Sequence, residues 1–273
     1  MSQTRYLKNM ITPTLVEPTE NHEAGVASGV WSTQDQLEAR RGGVWPEAGV
    51  TNPSTLIENN FSTYVYSGDS SAGNETTGID LVNNKGLIWL KWRSGNNAFG
   101  HALYDTVRGK TKQLKSESTA VESTESRFTG FREDGFSLSG DTELDYAGGG
   151  SAANKYVAWT FKAAPKFFDV VTYTGTGSAK TVAHSLGGTV GMILIKNLGQ
   201  TDNWAVYHRA NTAAPQTDYL ILNTNAATAD SADWWNDTAP TTSVFTVGTD
   251  HAVNADGESY VAYVFAHETG LTL

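Results

Sequence analysis

The sequence predicts an all-β chain: two tandem antiparallel β-sandwiches of jelly-roll or lectin-like type, behind an N-terminal extended arm and a short helix. Three observations lead there. First, an aromatic octet occurs twice, as Asn154-Lys155-Tyr156-Val157-Ala158-Trp159-Thr160-Phe161 and as Glu258-Ser259-Tyr260-Val261-Ala262-Tyr263-Val264-Phe265, sharing Tyr-Val-Ala-aromatic-x-Phe. Aromatic and β-branched residues alternating with small or polar ones mark a strand, and one this rich in rings belongs in mid-sheet. Second, 27 glycines, 11 tyrosines, 10 phenylalanines and 8 tryptophans among 273 residues point to short strands joined by many turns. Third, the chain repeats itself at a nearly constant offset.

Taken in order, residues 1–58 form a leader. The first thirty, with Pro13 and Pro18, show neither helical nor strand period, so they read as an extended arm. Tyr6, Leu7, Met10 and Ile11 would let that arm lie along a neighbouring subunit. Ser32 is a good N-cap with Asp35 three positions on, Arg40 and Arg41 fall where the helix dipole favours cations, and Gly42 is a natural stop. A short helix results, bracketed by Trp31 and Trp45, and Trp31, Leu37, Arg40, Arg41 and Trp45 are its candidate docking residues. The Pro-rich stretch to Pro53 marks the boundary.

Residues 59–163 and 164–273 are then two copies of one domain. Phe61-Ser62-Thr63-Tyr64-Val65-Tyr66-Ser67-Gly68 answers Phe168-Asp169-Val170-Val171-Thr172-Tyr173-Thr174-Gly175, both closing on Tyr-x-Gly. Gly86-Leu87-Ile88-Trp89-Leu90-Lys91 answers Gly191-Met192-Ile193-Leu194-Ile195-Lys196, an apolar run suited to a central strand. Ala102-Leu103-Tyr104-Asp105 answers Ala205-Val206-Tyr207-His208, and Gly135-Phe136-Ser137-Leu138 answers Val244-Phe245-Thr246-Val247. Gly191 minus Gly86 is 105 and Tyr260 minus Tyr156 is 104, so landmarks almost seventy residues apart keep one register. That period is too long for a solenoid brick, so each copy is a complete domain. The linker Ala163-Ala164-Pro165-Lys166 is too short for independent tumbling, which predicts a fixed tandem.

Bulk properties narrow the function classes. A formal net charge of -10 argues against nucleic acid, whose binding draws on clustered Lys and Arg. No run of 18 or more apolar residues occurs and the first residues lack a secretory apolar core, so neither membrane insertion nor classical export is expected. With no cysteine, disulfides and thiolate metal sites drop out.

The run Gly86–Lys91 with Tyr104-Asp105-Thr106-Val107-Arg108-Gly109 downstream resembles repeat modules of virion proteins from tailed phages, especially marine cyanobacterial ones. So do Tyr173-Thr174-Gly175-Thr176-Gly177, His184-Ser185-Leu186-Gly187, Trp204-Ala205-Val206-Tyr207-His208 and Trp235-Asn236-Asp237-Thr238-Ala239-Pro240 in the second copy. The leader's Gly29-Val30-Trp31-Ser32 and Trp45-Pro46 look like the start of such proteins. The resemblance implies a phage structural protein made in the host cytoplasm and carried on the particle: a tail fibre or tail-associated subunit, or a head decoration or head fibre. Other virion proteins would be met through residues 1–58. A homo-oligomer is expected, a trimer first, because three chains around one axis bury strips that one sandwich leaves exposed.

Candidate chemistry is sparse. Asp141-Thr142-Glu143-Leu144-Asp145 offers carboxylates that a strand would set on one face, as a retaining glycosidase requires, but its flanking glycines read as an acidic loop. Arg108, Lys110 and Lys112 alternate and Lys115 follows, so a strand there would carry a basic stripe able to meet an acidic partner or an anionic glycan. The six histidines lack metal spacing, and Ser185 beside His184 has no nucleophile elbow. Trp234 and Trp235 are the candidate glycan or partner contact, because neighbours on a strand cannot both face inward. No enzyme activity and no cofactor are expected, and a host-glycan-binding module is the alternative reading.

Overall fold

The computed structural model describes residues 56–95, 97–140, 143–148 and 153–267. Trp31, Leu37, Arg40, Arg41 and Trp45, with the arm and helix assigned to the leader, lie outside the described residues. The described body falls within one compact unit, Ser54–Leu273.

The first repeat opens with a 3-10 turn at Ile57–Asn59 and then runs β1 (Phe61–Ser67), β2 (Ala72–Thr76), β3 (Gly86–Ser94), β4 (His101–Asp105), β5 (Lys112–Gln113), β6 (Ser123–Thr124), β7 (Phe128–Phe131), β8 (Gly135–Ser139) and β9 (Lys155–Lys162). The second runs β10 (Phe168–Thr174), β11 (Lys180–Ala183), β12 (Val190–Asn197), β13 (Ala205–His208), β14 (Asp218–Ile221), β15 (Ala229–Asp230), α1 (Ala232–Trp235), β16 (Val244–Val247), α2 (His251–Asn254) and β17 (Ser259–Ala266). Every strand pairing among the described residues is antiparallel.

The topology repeats with the sequence. One large sheet is ordered β1-β9-β3-β4 and the other β10-β17-β12-β13, extended by β14 and β15. The small sheets obey the same rule: β8 pairs with β2, β16 with β11. In each copy the first strand lies beside the last and the second beside the fourth matched segment, the wrapping of a jelly roll. Registers agree residue by residue. Tyr66 faces Tyr156 as Tyr173 faces Tyr260, Leu90 faces Ala158 as Ile195 faces Ala262, and Ile88 faces Tyr104 as Ile193 faces Tyr207.

Strand period explains the burial. Along β17, Tyr260, Ala262 and Val264 enter the second repeat's own core, while Val261, Tyr263 and Phe265 point the other way. That other face is not left to solvent. Leu87, Leu103 and Leu114 of the first repeat share one cluster with Phe168, Leu194, Trp204, Val261 and Tyr263 of the second. Each large sheet therefore has its own small sheet on one face and the opposite large sheet on the other, which is why β3, β12 and the octet strands are apolar almost throughout. The linker makes this stacking compact: Ala164 and Phe168 bond each other's backbones across a tight turn, and the Lys166 N–H reaches Leu186 O at 2.6 Å.

The shared tyrosines have a specific task. Tyr66 and Tyr156 stack at 5.1 Å, and Tyr173 and Tyr260 at 5.0 Å. The first ring of each pair donates its hydroxyl to the segment preceding the closing strand, Tyr66 to Leu144 O (2.7 Å) and Tyr173 to Val253 O (2.6 Å). The second rings hold the same segments: Tyr156 Oη accepts from Tyr146 N (3.1 Å), and Tyr260 Oη donates to His251 O (2.6 Å) while accepting from Ala255 N (2.7 Å). The glycine of Tyr-x-Gly belongs to this clamp. A Cβ at Gly175 would lie 2.0 Å from Ala255 O, and one at Gly68 2.3 Å from Tyr146 O, so the chain passes too close for any side chain. Tyr260→Phe should lower unfolding free energy by about 1–3 kcal/mol, because the Ala255 N–H and the Asn197 amide lose their acceptor and His251 O loses its shortest donor. Tyr173→Phe, which orphans one carbonyl, should cost less; equal losses in urea unfolding would remove this account of the clamp.

Candidate functional site in the second repeat

The second repeat carries an open cleft of about 530 Å³, built in part from the β13–β16 connection, where its element order departs from that of the first. Its walls come from four segments: Asp202 and Asn203 before β13, Tyr219 and Ile221 on β14, Asp233 and Trp234 on α1, and the stretch Thr249–Ala252 at the start of α2. Local chemistry builds each wall. Ser231 caps α1 by accepting from Asp233 N, and Asn236, in left-handed conformation at φ 52°, ends it after one turn. Asp250 caps α2 by accepting from Ala252 N at 2.8 Å. The segment before α2 is tied to α1, since Gly248 N reaches Trp234 O at 2.9 Å and Asp250 N reaches Asp233 O at 2.8 Å.

This turn of helix corrects the strand expected at Trp234 and Trp235. A helical turn can bury adjacent residues that a strand would send to opposite faces. Trp235 is 1% exposed, packs edge-on against Tyr207 and donates from Nε1 to Asp218 O at 3.0 Å. Trp234 is 6% exposed and stacks flat on Tyr219, centroids 3.7 Å apart and planes 7° from parallel. Neither is an outward-facing contact, although the edge of Trp234 lines the cleft.

The cleft is acidic. Asp202 Oδ1 accepts from Asn203 N at 3.1 Å, Asp233 Oδ1 from the Thr249 hydroxyl at 2.8 Å, and Asp250 Oδ1 from Ala252 N. Burial, with Asp250 nearby, pushes the Asp202 carboxyl up from its ordinary value, although the Asn203 N–H and Lys196 pull the other way. Lys196 lies beneath, its ammonium donating to Asn197 O at 2.8 Å and its pKa pushed down to about 8 by burial, which Asp202 partly offsets. Sequence reasoning had no means of joining Asp202, Asp233 and Asp250, which stand on separate segments.

The basic stripe is also corrected. Residues 106–109 form a turn, so Arg108, Lys110 and Lys112 do not share a strand face. Lys110 is exposed, and Lys112 pairs with Glu122 at 3.1 Å. Arg108 turns inward: Nε meets Asp105 Oδ2 at 2.5 Å, Nη1 meets Glu122 Oε2 at 3.0 Å, and Nη2 donates to the Tyr263 hydroxyl at 3.1 Å. Tyr263 in turn donates to Asp105 Oδ2 at 2.8 Å. Burial opposes the guanidinium charge, but Tyr263 and Asp105 more than offset that, so its pKa is raised. The residue proposed to meet a partner instead fastens one repeat to the other.

The carboxylates of the first repeat are likewise engaged. Glu143 pairs with Lys115 at 2.8 Å and with Arg127, while Asp145 is 3% exposed and accepts from Asp69 N at 3.3 Å. Asp141 lies outside the described residues. Burial, reinforced by the Asp69 carboxylate against the pull of the Asp69 N–H, pushes Asp145 up to about 7. The folded value is above the unfolded one near 3.8, so this group favours folding at low pH and its contribution is lost as pH rises through about 7. Screening on the exposed Asp69 side holds the effect between pH 5 and pH 8 to on the order of 1 kcal/mol. Asp145→Asn should remove that part of the slope in urea midpoints at the two pH values; an unchanged slope would contradict it.

Among the described residues no group of three or more His, Asp or Glu is placed to hold a metal ion, and no helix is long and apolar enough to cross a membrane. His184 stacks on Phe245 and accepts from Leu186 N at 3.2 Å, its pKa lowered by burial. No curated protein and no solved structure matches the chain. Residues 58–272 match the model of a family described as a domain of unknown function, DUF7483, a span that takes in both repeats, and the chain belongs to that family.

Proposed function

We propose that the chain is a non-enzymatic structural subunit of a tailed-phage virion, a fused two-repeat body attached to the particle through residues 1–58. The observation that carries this reading is the set of polar contacts that fasten one repeat to the other. Segments that resemble phage repeat modules contribute to the contacts between repeats: Asp105 and Arg108 bind Tyr263, and Trp204 Nε1 donates to Lys115 O at 3.0 Å. A body built this way suits a load-bearing or spacing element, whose task is to hold shape.

Deleting residues 1–58 tests the attachment role, with copy number per particle measured by quantitative mass spectrometry. Loss of the truncated chain from purified particles is expected, and incorporation at the normal copy number would end that assignment. Antibody against the β body should decorate intact particles; a failure to label them, with the chain recovered only from lysate, would end the virion reading. Sedimentation of the full chain tests the assembly, for which a trimer is expected.

A further inference from the structure

We propose that the cleft of the second repeat is a saccharide-binding site for an uncharged sugar, with Asp202, Asp233 and Asp250 accepting its hydroxyls and Tyr219, backed by Trp234, forming its aromatic wall. Three features support it, none of which depends on whether the chain sits on a particle.

The first is the aromatic wall. Sugar rings carry apolar C–H faces that pack on flat aromatic groups, and the strongest such wall is one that does not have to be ordered on binding. Trp234 fixes the plane of Tyr219 by lying parallel to it at 3.7 Å. Trp234 is itself fixed from the other side by the closed turn of α1 and its edge contact with Trp235.

The second is the state of the acceptors. Each of the three carboxylates has one oxygen held by a local donor, as described above, and its other oxygen makes no hydrogen bond among the described residues. Carboxylates oriented in this way are prepared acceptors, and hydrogen bonds to a charged acceptor are the stronger kind. A matching donor is present: Asn203 uses its carbonyl to accept from Asn223 Nδ2 at 2.9 Å, which leaves its own amide N–H groups for a ligand.

The third is spacing, which separates a sugar from an ion. A calcium ion needs six to eight oxygens converging on one point. The acids here line a cleft of about 530 Å³ without forming a group of three able to hold a metal. Acceptors spread along a cleft of this size suit a ligand whose hydroxyls are themselves spread around a ring. Three carboxylates also repel anions, so uronic acids, sialic acids and phosphorylated sugars are disfavoured. In the first repeat the chain after β4 forms the hairpin β5–β6, where the second has β14, β15 and α1.

The experiment uses the full chain with saturation-transfer difference NMR and calorimetry. The probes are the methyl glycosides of glucose, galactose, mannose and N-acetylglucosamine, with glucuronate and calcium chloride as comparators. At least one neutral glycoside should bind, with transfer to its ring C–H protons, and glucuronate should not. Asp233→Asn, at an exposed position, and Tyr219→Ala should each weaken that binding about tenfold while far-ultraviolet circular dichroism stays native. Binding unchanged in both variants overturns the proposal, as does the absence of binding by every neutral glycoside at millimolar concentration. Calcium binding to the cleft with no neutral glycoside bound overturns it as well. These outcomes leave the particle-labelling test untouched, so either reading can fail without the other.

Discussion

Arg108→Met should destabilise the chain by about 3–5 kcal/mol, because it leaves Asp105 charged and buried with its cation gone. Side-chain exposure of the pair is 3% for Arg108 and 0% for Asp105, so water cannot take over. The loss is not that of the ion pair alone. Asp105 would keep the N–H groups of Val107 and Arg108 (3.1 and 2.8 Å) and the Tyr263 hydroxyl, but these bind an anion whose countercharge has gone. Urea unfolding followed by tryptophan fluorescence measures it, and Asp105→Asn in the Arg108→Met background should recover part of the loss by removing the stranded charge. A loss below about 1 kcal/mol for the single variant would place Arg108 among ordinary surface ion pairs. Lys110→Ala, two positions on and exposed, should change stability by less than about 0.5 kcal/mol.

Trp235→Ala should cost about 3–5 kcal/mol, the range for removing a large buried aromatic. The indole is enclosed by the core of the second repeat, against Tyr207 and Trp234, and its N–H serves Asp218 O at the start of β14. The variant therefore opens a cavity and leaves a part-buried carbonyl without its indole donor at once. It should also loosen the wall of the cleft, since Trp234 is anchored partly by Trp235. Differential scanning calorimetry checks the stability, and a Tm within a degree or two of the unaltered chain would mean that the site collapses without cost. Trp235→Phe should be milder, recovering most of the buried area without the hydrogen bond.

Much of this architecture was legible because its signals were local and stated twice. The octets, the Tyr-x-Gly ends and the apolar runs of β3 and β12 each have a strand period, and a constant offset made one copy evidence for the other. The same duplication explains why the tyrosines and glycines persist: both serve the clamp on the segment before the closing strand. Trp234 and Trp235 were misplaced because a helix of one turn has no period to read. Its marks were the Ser231 cap and the positive φ of Asn236 and Asp237, and only a turn reading of Asn236-Asp237 would have found them. Arg108 was misplaced for a different reason: Tyr263 is 155 positions away, and charge patterning sees only neighbours. The acids of the cleft share that difficulty, since Asp202, Asp233 and Asp250 meet only through the fold.

The lock between repeats also gives the chain an order. By the repeat's own register, Asp105 corresponds to His208 and Tyr263 to Trp159, so the partners that bind Arg108 have no twin on the opposite side. His208 is exposed and Trp159 packs edge-on against Trp89 within its own sheet. Two identical modules stacked face to face about a twofold axis would make this contact twice; the difference distinguishes a leading module from a following one. Neither module is therefore an interchangeable part. A gene encoding the second alone would produce a protein that exposes Phe168, Leu194, Trp204, Val261 and Tyr263, side chains that share a buried cluster with the first repeat.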